Sequence, residues 1–192
     1  MNERLLGCEI SSDFTWNEYL QDNEFSLQRQ ITSRINALKK ISFSATFKTR
    51  KMIANGVVIS RIIYVISLWG GTNDYLMKML QVLQNRAARF VTKKDIFTSQ
   101  KQLLLECGWM SVRQLAAFHS LVQIFKTLSD QKPVTLHNTL SKSFSYRTRA
   151  ASTGALVDNN RNSSDISKQS FLVMSTKLWN ELPPSTRQAG NL

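Results

Sequence analysis

The chain has 192 residues, 42% hydrophobic and 20% charged, enough for an ordinary core in one domain or two small ones. Its 25 Lys and Arg against 13 Asp and Glu leave +12, which points to a polyanionic partner: nucleic acid, an anionic membrane surface or an acidic protein. Cys8 and Cys107 make no disulfide framework and, with His119 and His137, have no metal-ligand spacing, so no metal or cofactor is expected and a reducing, intracellular compartment is.

The surplus is local. Residues 29–101 hold fourteen basic residues and two acidic ones, Asp74 and Asp95, while the rest of the chain balances at eleven of each. A binding face concentrates charge in this way. The N-terminus, Met1-Asn2-Glu3-Arg4, begins no signal peptide.

In chain order, residues 5–10 suit a short strand, and Ser11-Ser12-Asp13 a turn. Residues 16–22 fit either one helical turn or a loop. The first clear helix spans 24–41, where Leu27, Ile31, Ile35 and Leu38 repeat on one face. A second runs over 46–69. Its first turns are basic, with Lys48, Arg50 and Lys51, and its second half is apolar all round, as a central buried helix would be. Gly56 weakens or bends it, and Gly70-Gly71 end it. The apolar run 57–69 is too short to span a bilayer and carries Arg61 in its middle, so no membrane partner is expected.

A third helix spans 73–93, capped by Thr72 or Asn73, with Leu76, Met79, Leu80, Leu83, Ala87, Phe90 and Val91 on one face. Arg86, Arg89, Lys93 and Lys94 fall in its last turns. A short helix over 100–106 stops at Gly108, and another starts with Ser111 and Gln114 in capping-box spacing and reaches about 128. After Asp130, Pro133 interrupts, and residues 153–168 read as a loop. A short apolar element, 171–182, ends at Pro183-Pro184.

Catalytic signatures are missing. No two acidic residues are adjacent, so there is no carboxylate pair of the kind that holds two metal ions for phosphoryl transfer. There is no Gly-rich phosphate loop and no nucleophile–base signature. His119, among Phe118, Leu121 and Val122, reads as a packed helix histidine. Trp109 and Trp179 read as core anchors rather than stacking platforms for bases. Arg147 and Arg149 sit in an ordinary Ser-rich stretch.

Five stretches, taken together and in order, resemble the region downstream of the catalytic palm in non-LTR (LINE-type) retrotransposon reverse transcriptases. They are Leu5-Leu6-Gly7 with Asp13-Phe14-Thr15-Trp16; residues 59–70, ending Leu68-Trp69-Gly70; Leu80-Gln81-Val82-Leu83-Gln84-Asn85-Arg86-Ala87-Ala88-Arg89; Leu103-Leu104-Leu105-Glu106-Cys107-Gly108-Trp109-Met110; and Ser170-Phe171 through Lys177-Leu178-Trp179-Asn180-Glu181-Leu182-Pro183. The second is similar to the family's "Pro-x-Leu-x-Tyr-Gly-x-x-Val-Trp-Gly"; the family's Tyr-Gly is set against Val65-Ile66 here. Met174 stands where the family often has Arg. The resemblance implies a remnant following a palm at 1–23, a helical thumb-like bundle at 24–95, a helical post-thumb segment at 96–130 and a loop-rich tail at 131–192. It implies that fingers and palm would precede Met1, as in a truncated reading frame, and that this chain alone extends no primer.

The expected fold is therefore mainly α: a small bundle, a further helix pair and an irregular C-terminal segment. The expected function is non-catalytic binding of RNA or an RNA/DNA duplex through its phosphates, with no small-molecule ligand. Lys39, Lys40, Lys48, Arg50, Lys51, Arg86, Arg89, Lys93 and Lys94 are the candidate contacts, because an up-down-up bundle brings them to one pole. Gln84, Asn85 and Arg86 suit either gripping or structural pairing. A decayed transposon fragment, a protein-interaction module and a membrane-associated basic protein are the alternatives.

Overall fold

The computed structural model describes residues 3–13, 15–40, 45–141, 154–156 and 168–187. It is mainly helical, with one two-stranded antiparallel sheet among these residues. The chain divides into two compact units. The first comprises Met1–Ile66 and Thr72–Leu115, and the second Ser67–Gly71 and Ala116–Leu192.

The first unit opens with a hairpin rather than a single strand. Strands β1 (Glu3–Leu5) and β2 (Cys8–Ile10) pair antiparallel around Leu6-Gly7. Leu6 and Gly7 have φ of 49° and 82°, so both central residues are left-handed, as a tight two-residue hairpin turn requires. A π-helical turn, Glu18–Asp22, buries Tyr19 and Leu20.

Helix α1 (Leu27–Lys40) buries Leu27, Ile31, Ile35 and Leu38, the face expected from their spacing. The second expected helix, 46–69, is not one helix. It is α2 (Phe47–Ala54), a π-helical turn (Asn55–Ile59) and α3 (Ser60–Ile63), then a break, then α4 (Ile66–Trp69). The π-helical turn contains Gly56, where a bend was expected. The break lies at Tyr64-Val65, where Val65 takes φ 47°. Ile62 and Ile66 are almost completely buried, as the apolarity of the segment requires.

Helix α5 (Asp74–Thr92) is the spine of the unit, with nine buried residues including Leu76, Leu80, Leu83, Ala87 and Val91. Of the two candidate caps it is Asn73 that acts, its Oδ1 accepting from the Leu76 amide at 3.0 Å. α5 packs against α1, α2 and α6 (Gln100–Cys107). α6 is capped by Ser99 and ends on Gly108 in the left-handed conformation, φ 62°. Helix α7 (Val112–Asp130) starts with a reciprocal capping box. The Ser111 amide donates to Gln114 Oε1 at 2.9 Å, and the Gln114 amide to Ser111 Oγ at 3.3 Å.

In the second unit, Ile124, Leu140, Leu156 and Trp179 form a core, flanked by Leu121, Leu128, Leu136, Phe171 and Leu182. In the expected loop-rich tail, the short apolar element is a helix, and a further helix precedes it. α8 (Val134–Ser141) follows Pro133, whose fixed φ suits a helix start rather than an interruption. α9 (Phe171–Glu181) supplies Trp179, and a short α10 (Pro184–Arg187) follows. Gly71 is constrained here: a Cβ at that position would lie 2.2 Å from the carbonyl oxygen of Gln169. Most of the expected 153–168 loop, with Arg147 and Arg149, lies outside the described residues.

Candidate nucleic-acid interface

The direction of the first-unit helices follows from three side-chain bonds. Arg50, in the first turn of α2, donates from Nε to the Val91 carbonyl in the last turn of α5 at 2.9 Å. The start of α2 therefore lies at the end of α5, and the two run antiparallel. In α1, Arg34 reaches the Val57 carbonyl at 3.3 Å, and Asn36 accepts from Arg86 of α5 at 3.4 Å. Six residues connect Lys40 to Phe47, at most about 25 Å of chain. The end of α1, the start of α2 and the end of α5 thus share one pole.

At that pole the nine candidate cations divide. Lys39, Lys40, Lys48, Lys93 and Lys94 are exposed. Lys94 makes a long ion pair with Glu106 at 3.9 Å; among the described residues no ion pair takes up the other four. Arg50 is a correction to the sequence reading. It is only 6% exposed, and its guanidinium bonds the Ala45 and Val91 carbonyls, so it locks α2 onto α5 and is turned away from solvent. Lys51 is half-buried, its Nζ lying 3.5 Å from where a Cβ of Gly108 would be, over the C-terminal end of α6 where a cation complements the helix dipole. Arg86 is half-buried against Asn36. Arg89 donates from Nε to the Asp95 carbonyl at 3.2 Å and from an Nη to the Ile96 carbonyl at 3.3 Å, fastening the α5–α6 connection.

Gln84 and Asn85 are both bonded within the first unit. Gln84 is fully buried and donates to the Met110 carbonyl at 2.9 Å. Gln81 donates to Gln84 Oε1 at 2.8 Å and Asn85 Oδ1 at 2.9 Å, and accepts from the Val112 amide at 2.9 Å. These amides form a polar ladder that holds the α6–α7 connection against α5. The conspicuous tail residues are equally structural. Trp179 Nε1 donates to the Gly154 carbonyl at 3.0 Å, and Asn180 exchanges two bonds with the Leu156 backbone at 2.7 and 2.9 Å.

Burial shifts both cysteines and His119. Burial raises the Cys8 thiol and, with the nearby Glu106 charge, pushes Cys107 up to about 11, leaving both as neutral thiols at pH 7. Burial also lowers His119, which packs edge-on against Phe118. Among the described residues no three His, Cys, Asp or Glu side chains gather as a metal site, and no helix is long and apolar enough to cross a membrane. A cavity of about 750 Å³ lies by Ile59, Ile63, Val65, Trp109 and Met110; its lining includes no Lys, Arg, Asp, Glu or His, which makes it a poor seat for an anion.

What the sequence reading missed is beside the lysines. Ile96 and Phe97, at 74% and 89% exposure, project from the α5–α6 connection. The signal was an apolar pair alone in a polar stretch, Lys93-Lys94-Asp95-Ile96-Phe97-Thr98-Ser99. No family model matches the chain, and neither curated proteins nor solved structures give a significant match.

Proposed function

We propose that this chain is a non-catalytic nucleic-acid-binding piece that holds duplex phosphates at one end of its first unit, in the manner expected of the thumb of a LINE-type reverse transcriptase. The observation that carries the reading is the set of five exposed lysines, Lys39, Lys40, Lys48, Lys93 and Lys94, drawn from three helix ends: the Arg50–Val91 bond joins two of them, and the Asn36–Arg86 bond and the short connection after Lys40 bring the third. Lysines of this kind contact phosphates as point charges, so binding is independent of sequence and sensitive to salt.

The likeness to the reverse transcriptases gains support from Val65. Counted back from Trp69-Gly70, the family's Tyr-Gly falls on Tyr64-Val65, one residue earlier than Val65-Ile66. Val65 has φ 47°, a conformation that glycine adopts freely and a β-branched residue rarely does. The Gln ladder and the Trp179-Asn180 pair likewise give structural reasons for two of the quoted motifs.

The test is fluorescence anisotropy with a labelled RNA/DNA hybrid at low salt. A variant carrying Lys39→Gln, Lys40→Gln, Lys48→Gln and Lys93→Gln is expected to lose at least about tenfold in affinity. Lys132→Gln with Lys177→Gln, both exposed in the second unit, is the control. Equal loss from both variants overturns the reading.

A further inference from the structure

The connection from α5 to α6 is cross-linked by its own hydrogen bonds. Asp95 Oδ1 accepts from the Phe97 amide, the Thr98 amide and the Thr98 hydroxyl, each at 3.0 Å. The two Arg89 bonds to the Asp95 and Ile96 carbonyls fix the other side of the turn. Lys93 enters it in the left-handed conformation, φ 58°, its amide still bonded to the Arg89 carbonyl at 2.8 Å, and Ser99 leaves it as the cap of α6. The loop is therefore pinned at both ends and in the middle.

What this framework presents to solvent is an apolar tip. Phe97 is the most exposed of the large hydrophobic side chains among the described residues, at 89%, with Ile96 at 74% beside it. Lys93 and Lys94 precede them and are exposed. Asp95, the one acid in the loop, has its Oδ1 occupied by the loop's own donors. An aromatic ring carried on a hydrogen-bonded loop next to cations matches a nucleotide in both of its parts: ammonium groups meet phosphates, and the ring meets the face of a base.

We propose that this loop is a wedge, in which Phe97 stacks on an unpaired base of the nucleic acid whose phosphates the neighbouring lysines hold. A paired base inside a duplex offers no free face without unstacking, so the wedge selects a junction where duplex gives way to single strand. The proposal rests on the nucleic-acid reading and adds a preference that phosphate contacts alone do not supply. Ile96 packs beside the stacked base and excludes water from it.

The experiment compares a blunt RNA/DNA hybrid with the same hybrid carrying a short single-stranded extension, by anisotropy. The wild-type chain is expected to favour the extended substrate. Phe97→Ala is expected to weaken binding to it by roughly 5- to 150-fold, the range of one base–aromatic stack, with the salt slope unchanged because no charge is lost. Phe97→Tyr keeps the ring and should restore the preference, while Ile96→Ser should weaken it partially. Circular dichroism checks that the variants fold. Equal affinity of wild type and Phe97→Ala for the extended hybrid, with the four-lysine variant still defective, overturns the wedge and leaves the phosphate grip standing. No loss from the four-lysine variant overturns both. Phe97-dependent binding to vesicles of mixed anionic and neutral phospholipid, with hybrid binding indifferent to Phe97, also overturns the wedge by assigning the tip to a membrane surface.

Discussion

Outside the hairpin turn, two described residues of the first unit, Val65 and Lys93, hold left-handed backbone without being glycine, at φ 47° and 58°. In an ordinary helical position Ala outranks Gly by about 1 kcal/mol. At a left-handed position the order inverts, because Cβ meets the neighbouring carbonyl at a cost of about 1–2 kcal/mol. Val65→Gly is therefore expected to be more stable than Val65→Ala by about 1 kcal/mol, and Lys93→Gly more stable than Lys93→Ala by a similar margin, in urea unfolding. The Ala order winning at both sites would dissolve the structural link between Val65 and the glycine of the reverse-transcriptase pattern. Lys93 adds a second readout, since both of its variants should lose the same affinity for nucleic acid whatever their stability. Arg50 is the opposite case. Its buried guanidinium satisfies two carbonyls, so Arg50→Ala should cost about 2–3 kcal/mol, against less than about 0.5 for the exposed Lys48→Ala. Equal stability losses would contradict the inward placement of Arg50.

At the scale of elements, legibility followed the presence of local chemistry. α1, α5, α6 and the start of α7 each had one apolar face or a cap the sequence could show, and their observed ends match the side chains that terminate them: Asn73, Ser99, Gly108, Ser111 with Gln114. The break at Tyr64-Val65 was invisible because residues 62–66 are continuously apolar, so a change of helical phase leaves no trace in the pattern, and no Gly or Pro marks it. α8 was hidden because Pro133 reads equally as a stop and as a first-turn residue. The candidate site was half legible. Composition and order located the basic pole, yet nothing in the spacing separated the inward Arg50 from the outward Lys48, since that depends on the Val91 carbonyl 41 positions away. Long-range pairing also governs the Gln81–Gln84 ladder, which supports the α6–α7 connection from a neighbouring helix. Gln81→Ala should speed hydrogen exchange at the Val112 amide, whose acceptor it removes, while the amides inside α6 keep their protection. Unchanged exchange at Val112 would mean that the ladder does not hold that turn.

Across the whole molecule both units are positive: sixteen basic against nine acidic residues in the first, nine against four in the second. Net charge therefore does not by itself say where a polyanion sits, and the number of phosphates engaged has to be read from salt. Each contact releases counterions and contributes about −0.9 to the slope of log affinity against log salt. If the entire surplus of +12 met phosphates, the slope would be about −11. Five lysines at one pole give about −4.5, so that a fourfold rise in salt weakens binding by about 500-fold instead of more than a million-fold. The wild-type slope on a hybrid duplex is expected near the smaller figure. Replacing Lys39, Lys40, Lys48 and Lys93 by Gln leaves Lys94 and should bring it to about −1, whereas Lys132→Gln with Lys177→Gln should leave it where it was. A wild-type slope near −11 would mean diffuse attraction over the whole surface, and an equal flattening by the second-unit pair would mean that the pole holds no privileged position. Either result would replace a grip built from three helix ends with a polycation of no particular shape.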